Sequence, residues 1–83
     1  MSVDFDYSAR AELFFNSQKR QPRLGYRRFR TAAEAIAFAI EGIERGSFAS
    51  VTLEVDEQRY DRDGVRRLHA APEFPRLIDV AAA

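Results

Sequence analysis

Apolar residues hold every odd position from Val3 to Phe15. The even positions carry Asp4, Asp6, Ser8, Arg10, Glu12 and Asn16, with Phe14 the one exception. A period of two marks an extended strand with one dry and one wet face. It predicts a strand over about 11–16, with residues 1–8 an edge strand or an arm. A short helix over AELFF, opened by Ser8, is the competing reading of that segment. Gln21-Pro22 then breaks the pattern, because proline fixes φ and drives its predecessor toward extended geometry. Residues 17–23 therefore read as a hairpin loop, and Leu24–Arg30 as the returning strand.

At Thr31 the period changes. Thr31-Ala-Ala-Glu34 has the spacing of a capping box, in which the threonine hydroxyl accepts from the Glu34 N–H and the glutamate side chain reaches back to the Thr31 N–H. At 100° per residue Ala32, Ala33, Ile36, Ala39, Ile40 and Ile43 fall on one face, which predicts a helix over 32–45 ended by Gly46. Beyond it Ala49, Val51, Leu53 and Val55 alternate with Ser50, Thr52, Glu54 and Asp56, the pattern of a half-buried strand. Asp56-Glu57 turns that strand into a short return over Gln58–Tyr60. Asp61 or Asp63 then caps a helix that carries Val65 and Leu68 inward and fades before Pro72. Residues 72–83, with two prolines and a triple alanine, read as a C-terminal arm. The order ββαββα predicts an α+β fold: a small antiparallel sheet with one long helix on one face and a short C-terminal helix.

A chain of 83 residues forms one domain, since at this size only about 60–65% of the unfolded surface is buried and two cores cannot share it. The absence of cysteine and the single histidine remove disulfide frameworks, thiolate chemistry and the usual zinc-ligand sets. No apolar run is long enough for a membrane span, and MSVDFDYSAR lacks the basic start and apolar centre of a signal peptide. The chain reads as cytoplasmic. Thirteen basic and thirteen acidic residues cancel. They are unevenly spread: residues 1–30 hold seven basic against three acidic, residues 31–83 six against ten.

The segments YRRFRTAAEAIAFAIEGI and ASVTLEVDEQRYDRDGVRRL resemble a group of short, uncharacterised alphaproteobacterial proteins. Those share a pattern like YRRF-x-TAAEAI-x-FA, then LEVD-x-x-R-[YF], then a short arginine-rich helix. The resemblance covers about residues 11–75. It implies the helix cap, helix face and hairpin already read from the residues, and it carries no chemistry. Arg30 stands where that pattern has an acidic residue, which makes this strand end unusually basic.

The stretch KRQPRLGYRRFR holds six Lys or Arg among twelve residues and no acid. On a strand Tyr26 and Arg28 share one face, and Gly25, Arg27 and Phe29 the other, so either Phe29 or Tyr26 is pinned beneath the helix. The exposed aromatic with Lys19, Arg20, Arg23, Arg27, Arg28 and Arg30 forms a candidate surface for a partner protein or for single-stranded nucleic acid. A charged edge strand guarded against aggregation explains the same residues without a ligand. The balanced net charge weighs against a dedicated nucleic-acid protein. Phe38 lies about 200° from Ile36 on the helical wheel, among Glu34, Glu41 and Arg45. It is expected on the solvent side, under a terminal arm, under a second molecule, or simply exposed.

Asp61-Arg-Asp-Gly64 lacks the ligand spacing of a calcium loop and reads as a turn and cap. His69 reads as a surface residue, and no serine lies in a nucleophile motif. No enzyme activity, cofactor or metal is expected. The leading expectation is a small non-catalytic interaction or regulatory protein acting by protein contact, with a homodimer as one form of it. A nucleic-acid-binding module using residues 19–30 is the second. The third is a phage or mobile-element inhibitor of the anti-CRISPR type that binds a nucleic-acid-handling complex.

Overall fold

The structure is a computed structural model and describes residues 5–17 and 24–75. It contains β1 (Ala11–Ser17), β2 (Leu24–Phe29), α1 (Ala32–Glu44), β3 (Phe48–Val55), β4 (Gln58–Tyr60) and α2 (Arg62–Ala70). The fold is α+β, in the order the sequence predicts. The four strands form one sheet in the order β2-β1-β3-β4, and every neighbouring pair is antiparallel. The predicted loop over 17–23 lies outside the described residues apart from Ser17, which continues β1. The candidate residues Lys19, Arg20 and Arg23 fall outside them as well.

Both helices pack on one face of the sheet, α1 against β1, β2 and β3, and α2 against α1, β3 and β4. Between the layers Leu13, Ile36, Leu53 and Val65 are fully buried, and Val51 and Val55 nearly so. Alanine and glycine let α1 come close: Ala32, Ala35 and Ala39 have no exposed surface, and Gly42 is buried beside them. Helix-to-sheet spacing follows the side chains at the contact, so this stripe brings the α1 backbone down onto the strands. A Cβ at Gly42 would overlap the edge of the Phe48 ring.

The helix ends are closed locally. The Thr31 hydroxyl accepts from the Glu34 N–H at 3.2 Å, and Asp61 does the same for Gly64 at 2.9 Å, so Asp61 rather than Asp63 caps α2. After α1, Gly46 takes φ 76°. Its N–H donates to the Ile43 carbonyl and the Ser47 N–H to that of Gly42, the two bonds of a Schellman motif.

Residues 5–10 and 71–75 pack over one side of the core. Residues 5–10 form an ordered arm rather than an edge strand. Its Tyr7 carbonyl accepts from the Ala33 N–H at 2.9 Å, which satisfies a first-turn donor of α1. The Tyr7 hydroxyl donates to the Leu68 carbonyl at 2.8 Å, and burial, followed by the nearby Glu73 carboxylate, raises its pKa above the usual tyrosine value. The start of the C-terminal arm is also packed. Phe74 is 7% exposed, with its ring 5.7 Å from that of Tyr7 and 4.8 Å from His69. His69 is accordingly half-buried, not on the surface as its arginine-rich surroundings suggested. Residues 76–83 lie outside the described part.

Two substitutions test this architecture. Gly42→Ala raises helix propensity by about 1 kcal/mol, yet the added methyl meets Phe48. Overpacking costs about 1–3 kcal/mol, so denaturant titration is expected to find the variant less stable, opposite to the propensity effect. In the β3–β4 turn, Asp56 (φ 51°) and Glu57 (φ 65°) both hold left-handed backbone. That costs roughly 1 kcal/mol at Glu57, whereas aspartate tolerates the conformation almost as asparagine does. Asp56→Asn combined with Glu57→Gly is expected to raise the stability by about 1 kcal/mol in the same assay.

Candidate functional site

Strand alternation divides the basic stretch between two faces. Ala11, Leu13 and Phe15 of β1 point at the helices, so Glu12, Phe14 and Asn16 point the other way. Among the described residues nothing covers that second face. The strand registers place Arg28, Glu12, Glu54 and Arg59 in one row across it, then Tyr26, Phe14 and Thr52, then Leu24, Asn16 and Ser50. Leu24 is 73% and Tyr26 47% exposed, and Phe14 is half-buried between β2 and β3 with its ring 4.9 Å from Tyr26.

A hydrogen-bond relay ties the aromatic row to the charged one. Arg28 Nε donates to the Tyr26 hydroxyl at 3.2 Å, which donates to Glu12 Oε2 at 2.9 Å; Arg28 Nε is itself 3.7 Å from that oxygen. The Tyr26 hydroxyl first, and the Glu12 carboxylate after it, hold the guanidinium still more firmly charged than usual. On the third row Asn16 Nδ2 donates to the Ser50 hydroxyl at 3.0 Å. At the end of the sheet a cleft of about 340 Å³ opens between Arg10, Glu12, Arg28, Glu54, Asp56 and Glu57. Its charges are mixed, with acids in excess.

Arg27 lies on the other face. Its guanidinium sits 4.8 Å from the ring centroid of Phe38 and 5.2 Å from that of Phe29. Exposed cation–π contacts of this kind contribute about 0.5–1 kcal/mol. Phe29, not Tyr26, is the aromatic of β2 under the helix. Arg30 follows the strand and is exposed. Two guanidiniums adjacent in sequence thus stand on opposite sides of one edge strand.

The expectation that Phe38 faces solvent is corrected. It is half-buried among Phe15, Phe29 and Phe48, with centroids 5.9, 5.4 and 5.5 Å away. A wheel centred on Ile36 ignores Ala35 and Gly42, which are buried, whereas Ala33 is only partly so. The true dry face is therefore turned toward Phe38, whose ring meets those of Phe15, Phe29 and Phe48. Among the described residues its cover is these three rings and the Arg27 guanidinium.

The pattern also missed residues. Phe48 belongs to β3 and stacks on Phe15 at 4.4 Å, because the β1–β3 register shifts between Asn16 and Ser17 and turns it to the helix side. Leu24 and Phe14 complete the uncovered face, and the signal was present: Phe14 is the apolar residue that breaks the polar half of the alternation. No group of three or more His, Cys, Asp or Glu gathers as a metal site among the described residues, and none of their helices is long and apolar enough to cross a membrane. No protein-family model matches this chain, and neither does any curated protein or solved structure.

The two aromatic sets differ in what they support. Leu24→Ser is expected to change stability by less than about 0.5 kcal/mol, as surface substitutions do. Phe38→Ala is expected to cost about 2–3 kcal/mol, less than a fully buried phenylalanine. Thermal and urea unfolding of the two variants check this.

Proposed function

We propose that this chain is a non-catalytic interaction module whose contact surface is the uncovered sheet face together with the adjoining edge of β2. The supporting observation is the exposure of Leu24 and Tyr26 beside Phe14 on a face that carries no helix among the described residues. Apolar residues contiguous across strands and rimmed by charge are what binding surfaces present. Tyrosine is well suited to such a surface, since it supplies area with little rotamer entropy and has a hydroxyl for orientation. Glu12 and Arg28 at the rim favour a protein partner with matching charge over an indiscriminate apolar one.

A second reading places single-stranded nucleic acid on the same face. One observation favours it: the Phe14 and Tyr26 rings lie side by side on an open sheet with Arg28 and Arg59 at the ends of the neighbouring row. Bases stack on such platforms. Glu12 and Glu54 stand between those arginines and oppose a phosphate backbone, which is why the protein reading comes first.

Affinity capture from host lysate, with wild type beside the double variant Leu24→Glu, Tyr26→Ala, tests the proposal. A protein retained by wild type and lost from the folded variant is the expected result. In parallel, anisotropy of a labelled mixed-sequence single strand is followed at about 50 and about 200 mM salt. Micromolar binding that weakens steeply between the two and vanishes in the variant, with no protein captured, would transfer the site to nucleic acid.

A further inference from the structure

Among the described residues β2 pairs with β1 alone, so its other edge carries unpaired backbone donors and acceptors. The pairing with β1 is continuous from Leu24 to Phe29, and the strand contains no proline. No bulge or missing N–H blunts the edge; its charge alone does. Arg27 differs from an ordinary solvated guard residue. Its guanidinium is held over Phe38 and Phe29, is exposed, and has neither hydrogen bond nor ion pair among the described residues. Stacking occupies the face of a guanidinium and leaves its in-plane N–H groups available for a carboxylate. On the opposite face the Arg28 side chain is 79% exposed and engages Tyr26 and Glu12 through Nε.

A strand added to this edge sets one side chain opposite each β2 residue, on the same face. Two successive residues of that strand therefore meet Arg28 on the open face and Arg27 on the helix face. A second copy of this chain is a poor occupant, because antiparallel pairing of β2 with itself brings the Arg27 and Arg28 pairs of both copies together. We propose that the free edge of β2 accepts an extended segment of a partner protein in which two consecutive carboxylates pair with Arg28 and Arg27. Apolar residues then follow on the open face opposite Tyr26 and Leu24. This rests on the protein-contact reading above and names the chemistry of the partner.

The probe is a labelled nine-residue peptide of alternating valine and threonine with two adjacent aspartates at its centre. It is titrated by fluorescence anisotropy beside a dilysine version and two versions N-methylated on alternate backbone nitrogens. Saturable binding of the aspartate peptide alone is expected, about tenfold weaker to the double variant Arg27→Gln, Arg28→Gln. One of the two N-methyl patterns is expected to abolish it, since one set of N–H groups faces β2. Equal binding of the lysine peptide, or full binding of both N-methyl versions, would overturn strand addition without depending on any variant. A labelled single strand that binds more tightly than the aspartate peptide, with the same arginine dependence, would assign the edge to phosphates instead. If the peptide fails while capture remains sensitive to Leu24 and Tyr26, the edge inference falls and the interaction module stands. If both fail, both fall.

Discussion

The close seating of α1 on the sheet is the constraint from which the rest of this structure follows. Ala32, Ala35, Ala39 and Gly42 remove the side-chain volume that would hold the helix away. The wedge left toward the end of β1 is filled by rings instead: Phe15 and Phe48 stacked, with Phe38 beside them and Phe29 beyond. Small residues on one layer and large ones on the other interdigitate at interior density, so neither set is replaceable alone. This uses most of the chain's apolar side chains on one face. Among the described residues no second layer is built on the other face of the sheet.

That economy decides where function can sit. The helix side is packed with Leu13, Leu53 and Ile36, all fully buried. Charges separated by more than forty residues meet on the open side, where Arg28, Glu12, Glu54 and Arg59 form one row. Among the described residues antiparallel pairing interleaves charges from the two halves of the sequence. Selectivity on such a face comes from short-range matching of charges and rings. Glu34 and Glu41 lie on the outer side of α1, away from Glu54, Asp56 and Glu57, so the acidic residues make no single surface either.

Local rules carried the reading of the sequence as far as local rules reach. Thr31 and Glu34 marked the start of α1, Gly46 its end and Asp61 the start of α2, because each acts on backbone groups within a turn of itself. Alternation sorted the residues of β1, β2 and β3 onto two faces but left open which face of β2 the helix covers, and a register shift that no residue type announces left Ala49 exposed and turned Phe48 inward. Phe38 was misplaced because a wheel weighted by isoleucines overlooks that a helix can bury its alanine and glycine side most deeply. Phe74 was hidden between two prolines that read as a tail, although its packing depends on Tyr7, far away in sequence. The candidate site was legible only as Tyr26 and Arg28. Joining Phe14, Thr52 and Leu24 to them required the strand order, which is a property of pairings and not of segments.

Arginine on an edge strand serves first to keep sheets apart, and a solvated, mobile side chain does that best, since its entropy and hydration both oppose an approaching strand. Arg27 has given up much of that freedom by lying on two rings. The same stack lowers the entropic cost of any bond its guanidinium later makes, as preorganisation does in general. Guarding and recognition therefore differ in which partners they exclude. A bare apolar edge excludes none, a mobile cation excludes most, and a fixed pair of cations on opposite faces of one strand excludes all but those with carboxylates or phosphates at matching spacing. Strand alternation separates the pair: the RR dipeptide that reads in sequence as a patch becomes, once folded, two guanidiniums on either side of a single strand.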